Sequence, residues 1–237
     1  MPNSYFQFKE FIIHQDQCAM KVCTDACILG AWFPEKIPAY SRILDIGSGT
    51  GLLTLMMAQK NKGEIHGVEL DAASFKQLKE NIAKSRWEGR IRMFPGDARD
   101  FVFPNKYDFI IANPPFFEGD LNSSSIPKNL AMHSSELTLS ELIRVVDANL
   151  EGAGSFGILL PYHRTRYFEE MAASHHFYLR EKLLVRQTPG HDFFRSILHF
   201  SRHPGHFVPV TKMSIKNGAG DYADKFRELL ADYYLYL

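Results

Sequence analysis

The residues best suited to chemistry are Asn113, Pro114, Pro115 and Phe116, which directly follow the apolar run YDFIIA. The two prolines give up backbone N–H donors and fix the direction of the chain, so they can hold one side chain and one carbonyl in place. The oxygens of Asn113 and Pro114 could accept both hydrogens of an exocyclic amine and direct its lone pair toward an electrophile, while Phe116 stacks on the ring. We therefore expect Asn113, Pro114 and Phe116 to be catalytic. The alternative is a rigid turn that merely ends a strand.

A second group of candidates lies in LDIGSGTGLL, where Gly47, Gly49 and Gly51 occupy a predicted turn between a strand and a helix. Glycine allows a tight turn and lets a ligand approach backbone N–H groups at a helix N-terminus. Glu69 ends the next predicted strand about 20 residues later, where a carboxylate can bind both hydroxyls of an adenosine ribose. The combination predicts a site for an adenosine ligand, although glycines also serve such turns for structural reasons.

The charges in this predicted site distinguish between two adenosine ligands. Asp45 comes just before the glycines, where a carboxylate would repel a pyrophosphate but attract the ammonium and sulfonium groups of S-adenosylmethionine. The third glycine also comes one residue too early for the dinucleotide pattern G-x-G-x-x-G. Asp97, in GDA at the end of a third strand, could accept a hydrogen bond from the adenine amino group, unless it is an ordinary turn aspartate. We expect S-adenosylmethionine as the cofactor, since NAD would explain only Glu69.

Alternating strand and helix patterns from Ser41 onward place all these residues at strand ends. Short apolar runs predict strands in RILDIG, EIHGVEL, RIRMFPGD, YDFIIANPP and GSFGILLP. Helical spacing predicts helices in GLLTLMMAQK, in DAASFKQLKENIAKS with Asp71 as N-cap, in SSELTLSELIRVVDANL with a capping box at Ser134 or Ser135, and in RTRYFEEMAASH. FYLREKLLVRQT and FFRSILHFSRH predict a closing antiparallel pair.

This order of elements predicts an α/β fold. We expect a doubly wound, mostly parallel, seven-stranded sheet with helices on both faces and an antiparallel edge hairpin. In such sheets ligands bind outside the carboxyl ends of the strands, at the point where the strand order reverses. The motifs described above all fall at those ends, which favours a functional interpretation over a structural one.

The composition is that of an ordinary globular chain. It has 237 residues, 45% hydrophobic and 23% charged, and its formal net charge is zero, so no bulk polycationic character indicates nucleic acid. The N-terminus lacks the apolar core of a signal peptide, and no apolar run reaches the roughly 18–20 residues of a membrane helix. Three cysteines (Cys18, Cys23 and Cys27) form no C-x-x-C pair. We therefore expect reduced thiols in the cytoplasm, with neither a disulfide framework nor a metal site.

The pieces DIGSGTG, VELD, GDA and NPPF, in this order and spacing, resemble the class I S-adenosylmethionine-dependent methyltransferases that methylate adenine, guanine or glutamine nitrogens. The N-terminal stretch FQFKEFIIHQDQCAMKVCTDACILGAW and the closing DYADKFRELLADYYLYL are similar to the bacterial tRNA1(Val) (adenine-37-N6)-methyltransferases. This resemblance covers nearly the whole chain. It implies a single methyltransferase domain over residues 1–237, in which a lead (residues 1–40) contributes to the site and residues 41–237 form the catalytic core with a C-terminal helix.

The resemblance also implies roles for individual residues. The cofactor would contact Asp45, Gly47 and Gly49 with its methionine part, Glu69 with its ribose and Asp97 with its adenine. Gly51 would also belong to the cofactor site, and Lys21, Thr24 and Asp25 would lie beside the methionine end. Asn113, Pro114 and Phe116 would hold the target adenine. Two features depart from the family pattern. Phe116 stands where tyrosine is common, and Cys23 and Cys27 stand where small or aliphatic residues are expected, which again argues against a metal site.

The activity implied is transfer of a methyl group to the exocyclic N6 amine of an adenine in tRNA, next to the anticodon of a valine tRNA. Alternative acceptors for the same chemistry are a ribosomal RNA base or a release-factor glutamine. Glutamine methyltransferases usually carry a separate helical N-terminal domain, for which the short lead leaves little room. A nicotinamide-dependent oxidoreductase conflicts with Asp45 and the glycine spacing. A non-catalytic RNA-binding remnant would have broken motifs, whereas here they are intact.

A basic segment between Pro161 and Lys216 is the candidate RNA surface. Five arginines could form a phosphate-binding face: Arg164, Arg166, Arg186, Arg195 and Arg202. The alternative is an ordinary solvated surface of mixed charge. As a partner we expect tRNA, with no membrane association and no obligatory protein partner, for a monomer in the cytoplasm.

Overall fold

The computed structural model of the chain describes residues 3–18, 20–115 and 137–237. The strands are β1 (Tyr5–Gln7), β2 (Ile12–His14), β3 (Ile43–Ile46), β4 (Ile65–Glu69), β5 (Ile91–Pro95), β6 (Tyr107–Ala112), β7 (Leu150–Pro161), β8 (Tyr178–Arg186), β9 (Phe193–Ser201) and β10 (Val210–Ser214). The α-helices are α1 (Thr24–Trp32), α2 (Leu52–Lys60), α3 (Ala72–Ala83), α4 (Leu139–Asn149), α5 (Thr165–Ser174) and α6 (Asp224–Leu230). Short 3-10 turns occupy Glu88–Arg90 and Tyr162–Arg164.

Within the described residues, eight strands form one sheet in the order β10-β8-β9-β7-β6-β3-β4-β5. Neighbouring strands are parallel except for β9, which is antiparallel to both β7 and β8. The predicted fold class is confirmed. The described sheet has one strand more than expected, because β10 pairs with β8 on its outer side. As a result β8 and β9 lie inside the sheet, and the edge is formed by β10.

Helices cover both faces of this sheet, which explains the continuous apolar runs of its central strands. One core lies between the sheet and α1, α2, α3 and α6, and the other lies between the sheet and α4 and α5. The strand β3, with the sequence ILDI, is buried at all four positions. Parallel strands covered on both sides lose the alternation of apolar and polar residues that half-exposed strands show. Asp45 therefore lies in a strand that has no solvent-facing side.

One predicted helix N-cap is confirmed, whereas the capping box of a second helix is formed by other residues than those predicted. Asp71 caps α3, as expected, since its side chain accepts a hydrogen bond of 2.7 Å from the backbone of Ser74. The predicted capping-box residues Ser134 and Ser135 lie outside the described residues. In the described part of the chain, the capping box of α4 is formed by Thr138 and Glu141. The T-x-x-E spacing satisfies two helix N-terminal donors reciprocally and fits the motif better.

The N-terminal lead is fixed to the core at two points along its length. β1 and β2 form a separate antiparallel hairpin, and the backbone N–H of Lys9 donates to the carbonyl of Tyr233 at 2.8 Å. Further along, the N–H of Gln17 donates to the side chain of Gln77 in α3 at 3.0 Å. These contacts fix the lead to α3 and to the chain that follows α6. None of the helices in the described residues has the length and apolar character that crossing a bilayer requires.

The strand order reverses between β3 and β6, and this reversal locates the site. From β3 the chain proceeds to β4 and β5 on one side, and then returns to place β6 and β7 on the other side. Loops that leave two neighbouring parallel strands in opposite directions open a crevice between them. The residues after β3 and β6 are Gly47 and Asn113, so the glycine loop and the Asn-Pro-Pro turn share this crevice.

Candidate active site

A cavity of about 540 Å³ opens at the carboxyl ends of β3, β4, β5 and β6. This volume is within the range of sites for small molecules and cofactors. The cavity brings together six of the predicted site residues: Gly47, Gly49, Glu69, Asp97, Asn113 and Pro114. These residues come from four different strand ends, so only the folded sheet places them side by side.

The glycine loop presents bare backbone to this cavity. Gly47 and Gly49 have φ angles of +71° and +54°, and a side chain added at either position would meet no atom within 4 Å. Positive φ angles are readily adopted only by glycine. The open space beside both residues lets a ligand approach the main chain directly, as the sequence predicts.

Glu69 ties the loop after β3 to the end of β4. Its Oε2 accepts a hydrogen bond of 2.8 Å from the N–H of Gly49, and its Oε1 accepts one of 2.8 Å from the N–H of Asp71. Both carboxylate oxygens are therefore held in fixed positions. Each retains a further lone pair, so the side chain can still accept hydrogen bonds from two hydroxyl groups.

Asp97 is held by an arginine that the sequence did not single out. The Nε of Arg99 lies 2.9 Å from both carboxylate oxygens of Asp97, and its Nη1 lies 3.4 Å from Glu141 in the capping box of α4. The hydrogen bonds from Arg99 lower the pKa of Asp97 below its usual value. Arg99 thus keeps Asp97 ionised and links the loop after β5 to the start of α4.

Asn113 carries an acceptor atom that the described residues leave unused. Its side-chain Oδ1 is buried and has no hydrogen-bond partner in the described part of the chain. A buried polar atom without a partner costs about 1–3 kcal/mol, so folded proteins rarely keep one without a use for it. Pro114 and Pro115 line the same cavity immediately beyond it. The turn therefore offers an acceptor at the point where the sequence predicts the binding of an amine.

The negative charges in the cavity wall favour a ligand with positive groups. Glu69, Asp71 and Asp97 place three carboxyl groups in the wall, and none of the described lining residues is Lys, Arg or His. Such a wall would repel the pyrophosphate of a nicotinamide dinucleotide, whereas it attracts a ligand with positive groups. S-adenosylmethionine carries both a sulfonium and an ammonium group, so the described lining fits it.

Asp45 lies next to the cavity but does not line it. The residue is fully buried; its Oδ2 accepts a hydrogen bond of 2.6 Å from Thr54, and its Oδ1 has no partner among the described residues. Burial raises the pKa of this carboxyl to about 7, against the smaller opposite effect of the Thr54 hydrogen bond. Its contact with the cofactor stays a prediction.

The remaining predicted residues lie outside the described cavity wall. Gly51 is the N-cap of α2, and Lys21, Thr24 and Asp25 belong to the lead and the start of α1. Asp25 instead accepts a hydrogen bond of 2.7 Å from Arg195. The predicted stacking residue Phe116 lies outside the described residues.

Fourteen of the lining residues were not predicted as site residues from the sequence, and six of these are Cys18, Met20, Leu70, Ala98, Leu137 and Leu142. Two of them could have been found, because Leu70 and Ala98 directly follow the motif acids Glu69 and Asp97. Cys18 and Met20 reach the cavity through the folded lead. Leu137 and Leu142 come from α4 and its approach, and no local pattern connects them with the glycine loop.

The five arginines proposed as a phosphate-binding face differ in the contacts that their side chains make. Arg195 pairs with Asp25, and Arg202 pairs with Asp147 at 2.6 Å, so both are used inside the protein. Arg166 forms an exposed pair with Glu170 one helical turn away. Arg186 donates to Ser214 at 3.0 Å, and its guanidinium lies over the ring of Phe193.

The three cysteines differ in burial: Cys27 is buried, whereas Cys18 and Cys23 are half-buried. Cys18, Cys23 and Cys27 are all free in the described residues. Burial raises the pKa values of Cys23 and Cys27 to about 12, so both remain protonated at neutral pH. Thiolates are the form that binds metals and attacks electrophiles.

Comparisons with known proteins agree with the resemblance seen in the motifs. Residues 21–154 match the family described as "Methyltransferase small domain". A protein of Dyadobacter fermentans named tRNA1(Val) (adenine(37)-N6)-methyltransferase is 42% identical over 98% of this chain and 98% of its own length. Proteins of the same name from Cytophaga hutchinsonii and Bacteroides thetaiotaomicron are 37% and 35% identical, each over 100% of both chains.

Solved structures share the fold at lower identity. A protein of Agrobacterium tumefaciens, described as a predicted O-methyltransferase, superposes with a TM-score of 0.68 at 16% identity, over 87% of this chain and 95% of its own. The glycopeptide N-methyltransferase MtfA, solved with S-adenosyl-L-homocysteine, has a TM-score of 0.56 at 12% identity, over 75% of this chain and 90% of its own. At such identities the likeness concerns the fold alone.

Proposed function

The chain belongs to the family of tRNA1(Val) (adenine(37)-N6)-methyltransferases, and from this premise we propose how its site works. It is an enzyme that transfers a methyl group from S-adenosylmethionine to the exocyclic N6 amine of an adenine in tRNA, next to the anticodon of a valine tRNA. Ribosomal RNA bases and release-factor glutamine are not favoured as acceptors, because the relatives that carry the tRNA name match over their full length.

Four residues of the cavity are proposed to hold the cofactor. The open backbone at Gly47 and Gly49 would bind its methionine part, Glu69 would accept hydrogen bonds from both ribose hydroxyls, and Asp97 would accept one from the adenine amino group. The acidic wall supports this assignment through the two positive groups of the ligand. When bound, S-adenosylmethionine supplies an activated methyl group.

The catalytic proposal rests on Oδ1 of Asn113, which has no hydrogen-bond partner among the described residues. An exocyclic amine is a poor nucleophile, because its lone pair is delocalised into the adenine ring. We propose that Asn113 Oδ1 and the carbonyl of Pro114 accept its two hydrogens and so localise the lone pair toward the methyl group. Holding the two reacting groups in line is the main contribution to the rate.

No side chain is required to act as a general base in this proposal. Once methylated, the nitrogen carries a positive charge and is strongly acidic, so its extra proton passes to water. Both acceptors at the turn are neutral, and neither takes the proton permanently. The residues of the turn therefore orient the amine rather than titrate during the reaction.

The tRNA substrate supports a location in the cytoplasm. We also propose that the protein needs no obligatory partner, because the six predicted residues that meet in the cavity all come from one chain. A monomer would then be the active form. Gel filtration of the active protein tests this part of the proposal.

The test of the function is methyl transfer from labelled S-adenosylmethionine to an unmodified valine tRNA transcript, followed by nuclease digestion and mass spectrometry of the nucleosides. We expect N6-methyladenosine from the wild-type protein, and formation about 10²–10³ times slower with the Asn113→Ala variant. If the cofactor binds but the tRNA remains unlabelled, the proposed acceptor is wrong. Label in another nucleoside would also contradict it.

A further inference from the structure

A patch of aromatic and basic side chains lies at the carboxyl edge of the sheet, away from the cavity. We call it the Phe193 patch, and it consists of Tyr162, Arg186, Phe193 and Lys212. The ring of Phe193 lies 5.7 Å from the ring of Tyr162. The guanidinium of Arg186 lies 5.4 Å from the centroid of the Phe193 ring, and the ammonium of Lys212 lies 6.0 Å from the same centroid. Tyr162 is 43% exposed, and Phe193 is partly exposed.

The sheet register places this patch at the same edge as the Asn-Pro-Pro turn. β7 runs parallel to β6, with Ala112 opposite Ile158, and β9 pairs with β7 so that Arg195 lies opposite Pro161. Phe193 begins β9 just beyond that pair. With strands about 4.8 Å apart and a rise of about 3.3 Å per residue, Phe193 lies roughly 15–20 Å from the end of β6. A few nucleotides of single-stranded RNA span that distance.

A basic groove continues from the patch. It has a volume of about 320 Å³ and contains Lys212, Lys216 and Lys225 together with one carboxylate, that of Asp224. Arg186 joins the groove to the patch, since its Nε donates to Ser214 in the groove wall at 3.0 Å. The exposed Asp192 is a second acid beside Phe193. The four cations of the patch and groove outnumber these two acids on a chain that has no net charge.

We propose that the Phe193 patch and this groove bind the nucleotides of the tRNA loop that flank the target adenine. In this arrangement Phe193 and Tyr162 stack on an unpaired base, while Arg186 and the lysines neutralise phosphates. Exposed aromatic rings beside a basic groove are the usual composition of single-strand RNA sites, because stacking holds the base and cations follow the backbone. The inference rests on the proposed function, since it takes tRNA to be the substrate.

The first test measures binding of a fluorescent anticodon stem-loop by anisotropy, without methyl transfer. We expect Phe193→Ala to weaken RNA binding about tenfold, within the range found for loss of one stacked base. Phe193→Tyr should restore binding, because it retains a ring that stacks. Binding of S-adenosylmethionine, measured by calorimetry on the same samples, should be unchanged.

A matched control exists at the opposite edge of the sheet. Tyr40 is 74% exposed just before β3, and the ammonium of Lys62 lies 5.8 Å from its ring. Tyr40→Ala therefore removes the same kind of cation–aromatic pair from a surface that the proposal does not use. Wild-type RNA binding is expected for this variant. An equal loss in Tyr40→Ala and Phe193→Ala would overturn the proposal.

The second test uses exposed lysines, whose replacement does not depend on packing of the core. In the double variant Lys212→Ala and Lys216→Ala, the slope of log Kd against log salt should fall by about 1–2, because two phosphate contacts are lost. An unaltered slope would mean that the RNA lies elsewhere. Failure of the proposed function is seen separately, as absence of methyl transfer by the wild-type protein.

Discussion

The backbone N–H of Gly49 donates a hydrogen bond of 2.8 Å to Oε2 of Glu69. The loop after β3 is thereby fixed to the end of β4 by the same carboxylate that is proposed to bind the ribose. A second bond, from the N–H of Asp71 to Oε1, fixes the other oxygen. Glu69 therefore orders the glycine loop and can still accept hydrogen bonds from the cofactor, so its removal should weaken cofactor binding.

Replacing Glu69 by alanine should weaken S-adenosylmethionine binding by at least tenfold. The change removes a charged acceptor from the proposed ribose contacts and releases the Gly49 N–H, and hydrogen bonds to charged groups contribute about 1.5–3 kcal/mol each. Isothermal titration calorimetry measures the effect. Glu64→Ala, just before the amino end of the same strand, is the control and should bind like wild type. An unchanged dissociation constant for Glu69→Ala would refute the ribose contact.

Replacing Asn113 by alanine should lower kcat by about 10²–10³, the loss expected when one oriented hydrogen-bond partner of the reacting group is removed. S-adenosylmethionine binding should stay near the wild-type value, because Oδ1, which has no partner in the described part of the chain, is assigned to the amine and not to the cofactor. Single-turnover kinetics and calorimetry separate the two quantities. Asn149→Ala, at the far end of α4, serves as the matched control. Parallel losses of binding and turnover would contradict the assigned role.

The buried carboxyl of Asp45 should make stability depend on pH. Its pKa is raised from 3.8 to about 7 in the folded protein, so between these values the folded state keeps a proton that the unfolded state has lost. The contribution of Asp45 to the free energy of unfolding therefore falls as pH rises through this window. Asp45→Asn removes the titration. The stability of the variant relative to wild type should thus increase by the order of a few kcal/mol between about pH 4 and pH 7.

Urea unfolding of both proteins across that pH range measures this difference. Comparing the two proteins cancels the other titrating groups, including His66, whose pKa is lowered by burial. Asp108→Asn is the control, because it makes the same substitution at an exposed carboxylate on β6, which accepts a hydrogen bond from the backbone N–H of Arg42. A difference that stays flat from acidic to neutral pH would show that Asp45 does not titrate there.

Replacing Gly51 by alanine should destabilise the fold by about 1–3 kcal/mol. Gly51 has a φ angle of +84°, and a side chain there would come within 2.6 Å of Leu78 Cδ1. A left-handed backbone costs about 1–2 kcal/mol for residues other than glycine, and the contact with Leu78 adds to it. Thermal or urea unfolding tests the prediction. Gly152→Ala is the control, since its φ is ordinary and its surroundings are open. If the two variants were equally stable, the structure would not require glycine at position 51.

Much of the site was predictable from the sequence, because its motifs are local. Four strands of four to six residues end at, or just before, the glycine loop, Glu69, Asp97 and Asn113, and the carboxyl ends of parallel strands must share one edge. The fold class, the cofactor type and the six residues that meet in the cavity follow from this rule. The N-terminal and C-terminal stretches indicated which methyltransferase family the chain resembles.

Tertiary structure decided which groups face each other across elements. The role of Arg99 could be recognised only in the folded structure, where it contacts Glu141 of α4. Arg195 is not available to the predicted phosphate-binding face, because it pairs with Asp25 at the start of α1. Likewise, the Phe193 patch depends on β9 lying between β7 and β8. Hydrophobic periodicity and turn residues depend on neighbours along the chain, whereas these pairings depend on strand order and helix packing, which no short segment encodes.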